Sequence, residues 1–399
     1  MLNVKDDFLY LKKENTIYFD NSSTTLKPKI VIDNATLNNI YSFNSNRGNN
    51  KNVLNLNKKI EMVRNKTAKF INAKSSDEIA FTSGATESSN LIAYSYCLHN
   101  LLDNDEILLC LNDHKSTILP IMNIKKILKN QNKDIKIKEI LIDYEGDYKE
   151  NDLFEKITSK TKLVVLTHIH NMYGLEMNIE YIVKKIRAIN ENVIIVLDCA
   201  QSAGHINIDV QKLNIDIAYF SGHKMMSLQG IGVIYIKKEI QNMFYPFIIG
   251  GNYNHDEIKK ISDIRDLECG TKNSCNILSL GDSIDYINSI GIDKIEEYIY
   301  ILTRYLYDNL KKFEIIEFNK GINNCTCALG YGIISFKIKG ISSSEVSEIL
   351  EDYNIIVRTG NFCNASDNDN YIRVSLYIYN TKEEIDNFIS VINYLVNEI

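Results

Sequence analysis

The sequence predicts an α/β fold: a large domain on a mostly parallel sheet, followed by a smaller α+β domain at the C-terminal end. Three observations predict it. Short apolar runs alternate with amphipathic helical stretches over the first two thirds of the chain, which is the βαβ signature. Several of these runs are apolar nearly throughout, as strands are when helices cover both faces of a sheet. From about Ile261 the alternation gives way to a long helical region and then to mixed short elements. The boundaries this implies are residues 16–260 for the large domain and 261–399 for the small one, which residues 1–15 join.

Taken in order, strands are expected at Glu78–Thr82, Glu106–Cys110, Lys136–Ile140, Lys162–Thr167, Val193–Asp198, Ile215–Ser221 and Gly232–Ile236. Apolar residues recur at helical spacing over Lys58–Ile71, Glu87–Leu98 and Ile179–Ile189. The Asn-rich stretch Asn44–Asn57 reads as a loop. In the second part Asp282–Phe313 reads as one long helical region. An extended stretch Tyr331–Lys337, a helix over Ser343–Tyr353, strands at Ile355–Val357 and Ile372–Leu376 and a terminal helix from Thr381 follow.

Composition narrows the class. The 399 residues are 45% hydrophobic and 24% charged, the balance of a globular chain rather than a disordered one. Forty-five basic against 51 acidic residues leave a net charge of −6, which argues against a general nucleic-acid binder. No apolar run approaches the roughly 18 residues of a membrane helix, and Met1–Asp20 lacks the uninterrupted apolar stretch of a secretory signal. A chain this long needs no disulfides to fold, so its eight cysteines read as thiols of a reducing cytoplasm.

The most informative segment is Ile215-Asp-Ile-Ala-Tyr-Phe-Ser-Gly-His-Lys224, an apolar strand that stops at a small, polar turn. It places Lys224 beside His223 at the carboxyl end of a sheet, where ligands of open α/β sheets sit. A lysine in such a partly desolvated pocket is a nucleophilic amine suited to a Schiff base with an aldehyde cofactor. Taken alone, it reads more readily as a solvated loop lysine. Val193-Ile-Ile-Val-Leu-Asp198-Cys-Ala-Gln201 is a buried strand ending in a carboxylate, which needs a cation or several donors. The ring nitrogen of pyridoxal phosphate is one such cation, and Gln201 can reach the phenolic oxygen of the same ring; an Asp capping the next helix is the plainer alternative.

Phe81-Thr-Ser-Gly-Ala-Thr86-Glu-Ser joins a strand to a helix through small residues and suits a phosphate, although a Ser/Thr-capped helix is ordinary. Asp113-His114-Lys115 can supply an imidazole that stacks on a ring, and His168-Ile-His170-Asn171 a further polar contact from Asn171. His168 with His170 and Cys325 with Cys327 can also be metal-ligand pairs, but no CxxC or His-x₃-His spacing accompanies them, and no metal is expected.

Taken together, Ser221-Gly-His-Lys224, Asp198-x-Ala-Gln201 and the Thr82–Ser88 turn resemble the class V aminotransferase group of fold-type I pyridoxal-phosphate enzymes. Within it they look like the cysteine desulfurases of the SUF-type branch. The resemblance runs from Tyr18-Phe-Asp-Asn-Ser-Ser-Thr-Thr25 to Arg373-Val-Ser-Leu-Tyr-Ile-Tyr-Asn-Thr381. It implies that Lys224 carries the cofactor as a Schiff base, that His114 stacks on the ring and assists proton transfer, and that Asp198, Gln201 and Asn171 contact it. Thr86, Ser221 and His223 would hold the phosphate, which Thr271 would reach from the neighbouring subunit of a homodimer, and Ala85 would also contact the cofactor. Arg373, with Asn171, would hold the substrate carboxylate, a bidentate task suited to Arg. Cys363, in Arg358-Thr-Gly-Asn-Phe-Cys363, would be the sulfur nucleophile, with Asn361-Phe362 standing where relatives carry histidine.

The resemblance thus implies conversion of L-cysteine to L-alanine, with a persulfide on Cys363 passed to an acceptor or iron–sulfur scaffold protein. A class V aminotransferase, an epimerase or a selenocysteine lyase is the alternative within the family, and a cofactor-binding regulator or scaffold the alternative outside it. Cys97, Cys110 and Cys199 read as buried apolar side chains, and Cys269 as a thiol near the dimer interface.

Overall fold

The computed structural model of the chain describes residues 2–40, 43–45, 48–143, 146–251, 253, 257–319, 331–360, 362 and 370–398. Among the described residues the largest sheet has seven strands. These are β1 (Ile79–Thr82), β2 (Glu106–Leu109), β3 (Lys136–Glu139), β4 (Thr161–Thr167), β5 (Ile194–Asp198), β6 (Ile217–Ser221) and β7 (Gly232–Ile236). They lie in the order β1-β7-β6-β5-β4-β2-β3. All neighbours pair parallel except β7, which runs antiparallel to both β1 and β6. The expected mostly parallel sheet is therefore present, with every expected strand within two residues of its place.

Strand periodicity divides the core between the two faces of this sheet. Leu163 and Val165 of β4 pack into one buried apolar cluster, and Val164 and Leu166 into the other. Successive side chains of a strand point to opposite faces, so a nearly unbroken apolar run is what two covered faces require.

A second, four-stranded sheet consists of β8 (Ile316–Phe318), β9 (Ile333–Ile338), β10 (Arg358–Thr359) and β11 (Ile372–Ser375) in the antiparallel order β10-β11-β9-β8. A third cluster, including Phe336, Val374 and Phe388, packs around it. The N-terminal segment joins this sheet's surroundings: Ile17–Tyr18 pairs in parallel with Ile355–Ile356, and Asp20 bridges to Ser375.

Two expectations are corrected. The single long helix expected over Asp282–Phe313 is two helices, Ser274–Ile290 and Ile292–Leu310, broken at Gly291. Gly291 has φ 94°, a conformation open to glycine, and ends the first helix by donating its N–H to Ile287 O. The loop expected over Asn44–Asn57 is helical from Lys51, because the helix Lys51–Phe70 is capped by Asn50, whose side chain accepts from the N–H groups of Asn52 and Val53.

Candidate active site

The strands β4, β5 and β6 end side by side at Thr167, Asp198 and Ser221, and these ends line a cavity of about 230 Å³. The carboxyl edge of a parallel sheet is where an α/β fold leaves room for a ligand. Beyond Ser221 the chain makes one tight turn, Gly222–Lys224, which brings His223 and Lys224 onto the cavity wall. Ser221 Oγ accepts from Ala85 N–H at 2.8 Å, tying this edge to the start of helix α1 (Ala85–Leu91). Close packing fixes that turn: a Cβ on Gly232 would stand 2.5 Å from the Cα of Gly84, so only glycine fits at the start of β7.

Asp198 is buried and held by three neutral donors. Its Oδ1 accepts from Ala200 N–H at 2.9 Å, and its Oδ2 from Thr117 Oγ1 at 2.8 Å and Tyr219 OH at 3.1 Å. Gln201 lines the same wall and donates to Ser22 O at 3.1 Å.

His114 enters from helix α2 (Lys115–Asn130), which it caps. Its Nδ1 accepts the N–H of Ser116 at 3.2 Å, so the hydrogen-bond pattern assigns the ring proton to Nε2. Burial is the main cause that pushes this imidazole down to about 4; the Lys224 cation adds to the effect and Asp198 opposes it. At neutral pH His114 is an uncharged ring, free of the repulsion a cation would suffer beside Lys224. His223 is likewise lowered to about 4, by burial first and then by Lys224 and Lys27.

The opposite wall comes from the small sheet and the N-terminal segment. Arg373 on β11 is almost wholly buried; its Nη2 donates to Asp20 Oδ1 at 3.2 Å and to Ser23 Oγ at 3.0 Å, and its Nη1 to Asn171 O at 3.2 Å. Asn171 Nδ2 in turn donates to Phe362 O at 3.3 Å. Ser22 N–H donates to Ser375 Oγ at 2.9 Å, and His223 O accepts from Thr25 N–H at 3.0 Å. The segment Ser22–Thr25 thus straps the two sheets together across the cavity.

The structure brings Ala85, Thr86, His114, Asn171, Asp198, Gln201, Ser221, His223, Lys224 and Arg373 to this one cavity. Thr271 lines a different hollow, with Ser83 and Glu87. Cys363, Cys325 and Cys327 lie outside the described residues. His168 faces Glu176 at 3.5 Å, and His170 Nε2 lies 3.1 Å from Asn112 O. Sequence reasoning missed Ser22, Ser23 and Phe362 as wall residues and Thr117 and Tyr219 as partners of Asp198. Only Tyr219 carried a local signal, its place two residues before Ser221 on the same face of β6.

The residues present fit a phosphorylated pyridine aldehyde. A buried carboxylate held by neutral donors, a neutral imidazole and a lysine share a cavity whose edge offers Ser221, Thr86 and His223. Among the described residues no three metal-ligating side chains gather in one place, and no helix is long and apolar enough to cross a membrane.

Comparison with known proteins bears on the same site. The family model Aminotransferase class-V matches residues 17–388. A probable cysteine desulfurase of Borreliella burgdorferi is 34% identical, over 100% of this chain and 95% of that protein. A probable cysteine desulfurase of Pyrococcus abyssi is also 34% identical, over 97% of this chain and 96% of its own. Among solved structures, the apo cysteine desulfurase from Thermococcus onnurineus NA1 superposes with a TM-score of 0.91 at 31% identity, covering 100% of this chain and 98% of that one.

Proposed function

The chain belongs to the aminotransferase class-V family, and we propose that it works there as a pyridoxal-phosphate-dependent cysteine desulfurase. It takes sulfur from L-cysteine, leaves L-alanine and passes the sulfur on to an acceptor protein. Whole-length similarity to cysteine desulfurases supports the activity. The observation that carries the assignment of roles is the meeting of Lys224, Asp198 and His114 from the large sheet with Arg373 from the small one.

Pyridoxal phosphate, when bound, supplies an aldehyde that condenses with amines and a ring that stores the electrons of a Cα carbanion. Asp198 would hold the ring nitrogen, Gln201 and Asn171 would meet the ring's polar edge, and His114 would cover its face. Ala85, Thr86, Ser221 and His223 would surround the phosphate, with the Ala85 N–H already given to Ser221 Oγ. Arg373 orients L-cysteine by its carboxylate, with the Asn171 carbonyl and Ser23 hydroxyl fixing the guanidinium plane. Lys224 Nζ takes the Cα proton and returns one to the alanine product. The thiolate of Cys363 attacks the substrate sulfur; the C–S bond breaks, an S–S bond forms, and L-cysteine plus the enzyme thiol give L-alanine plus the enzyme persulfide without an external oxidant.

The cysteines described elsewhere support choosing Cys363. Burial pushes the Cys97 thiol up to about 12 and raises those of Cys110 and Cys199 further, and Cys269 and Cys275 are raised too. Thiols so held are poor nucleophiles. Thr271, which lines a separate hollow, fits a part in the same site of a second copy, and the working form is a homodimer.

The test is incubation with L-cysteine followed by mass spectrometry. One added sulfur on the Cys363 peptide is expected, with sulfide and alanine released in equal amounts under reductant. Undiminished turnover in Cys363→Ala, or keto-acid formation in place of alanine, overturns the assignment.

A further inference from the structure

Asp198 is gripped by a pair of hydroxyls that the reaction itself does not call for. Tyr219 is its direct cross-strand partner, register Asp198↔Tyr219 between β5 and β6, so the two side chains leave the sheet on the same face. Thr117 reaches the same carboxylate from the first turn of α2, the helix capped by His114. Both hydroxyls are buried, and their oxygens are 3.0 Å apart.

A carboxylate oxygen has about two lone-pair sites. Oδ2 fills both, with Thr117 at 2.8 Å and Tyr219 at 3.1 Å, whereas Oδ1 receives Ala200 N–H at 2.9 Å and keeps one site. We infer that Thr117 and Tyr219 are positioning residues that saturate Oδ2 of Asp198 and reserve Oδ1 for the ring nitrogen of the cofactor, so setting how firmly that nitrogen keeps its proton.

The chemistry follows from who supplies the donors. Charge-assisted hydrogen bonds stabilise a buried anion. A carboxylate stripped of such donors is a poorer anion and takes the shared proton back from a ring nitrogen. Tyr219 keeps its own proton, because burial first and the negative Asp198 second raise its phenol well above the ordinary range. The two hydroxyls therefore stay donors at every working pH. Because Thr117 sits one helical turn from His114, the same turn holds both the imidazole and a donor to Asp198.

This inference rests on the cofactor reading above. The experiment uses full-length protein loaded with pyridoxal phosphate labelled with ¹⁵N in the ring, and reads the ring-nitrogen chemical shift by NMR in wild type, Thr117→Val, Tyr219→Phe and the double variant. The expected result is a protonated nitrogen in wild type and a stepwise move toward the neutral form, the proton's preference for nitrogen falling roughly tenfold or more for each hydroxyl lost. Thr117→Ser, which keeps the donor, is expected to restore the wild-type signal; a merely structural role for Thr117 predicts no such rescue. Should the double variant fail to fold, Thr117→Val against Thr117→Ser decides. A nitrogen equally protonated in wild type and in the hydroxyl-free variants overturns the inference while leaving the cofactor reading intact. Failure of wild type to bind pyridoxal phosphate overturns both.

Discussion

The guanidinium of Arg373 lies over the ring of Phe362, its central carbon 5.2 Å from the ring centroid. Phe362 is itself almost fully buried, and its carbonyl accepts from Asn171. The residue that precedes Cys363 in the chain is thus anchored on the two side chains expected to hold the substrate.

A cation over an aromatic face contributes about 0.5–2 kcal/mol. Phe362→Ala is expected to slow persulfide formation on Cys363 about tenfold at saturating L-cysteine, and Phe362→Tyr, which keeps the ring, to stay near wild type. Single-turnover mass spectrometry measures it. An unchanged rate in the alanine variant would show that the ring anchors nothing.

Arg373 presents a planar fork that an ammonium lacks. Arg373→Lys keeps the charge but loses the bidentate geometry, so the KM for L-cysteine should rise roughly tenfold or more. Steady-state sulfide release gives the number, and an unaltered KM would remove Arg373 from carboxylate binding.

Asp113 is wholly buried beside the site, and burial pushes its carboxyl up to about 8; the Thr167 side chain works against the shift and the negative Asp198 adds to it. The folded protein therefore keeps a proton that the unfolded chain releases near pH 4. Stability on this account falls as pH rises from about 4 to about 8 and is level above that. Asp113→Asn abolishes the dependence, and the melting temperature of the variant relative to wild type should climb between pH 5 and pH 8. A gap that is constant over this interval would refute the account.

Glu268 shows the opposite sign. It is buried against Arg64, with Arg64 Nη1 and Nη2 at 2.5 and 2.9 Å, and it also accepts from Phe81 N–H at 2.8 Å. Burial alone would raise this carboxyl, but Arg64 and then Lys272 outweigh it and hold it down at about 2. Its stabilisation is complete above the usual carboxylate range and is lost as pH falls toward 2. Glu268→Gln leaves the buried Arg64 with the more exposed Glu61 as its remaining carboxylate partner among the described residues, 3.2 Å from Nε, and should cost up to about 3–5 kcal/mol at neutral pH. Denaturant unfolding across pH 3–7 checks both the size and the convergence of the two proteins at low pH.

Local rules carried the reading a long way. Lys224 and Asp198 were legible because Asp198 ends an apolar strand and Lys224 lies in the turn just past one, and strand ends of a parallel sheet meet at one edge whatever the rest of the chain does. His114 and Thr86 were legible as polar residues in the short turns that follow strands. The break at Gly291 was not read, although its glycine stood in the sequence, because a helical period continues on both sides of it. The helix start at Lys51 was hidden by asparagines that suggest a loop until one of them is seen to cap.

The sequence by itself determined the layered α/β core, the order of strands and turns, and which residues reach the carboxyl edge, since these follow from periodicity over a few neighbouring positions. Tertiary structure alone decided what each polar group touches. Asp20 and Arg373 meet across 353 residues, and Thr117 and Asp198 across 81. Such pairs exist only because two sheets and an N-terminal strap close on one cavity, where each buried charge must find its donors from whatever segment the fold brings near.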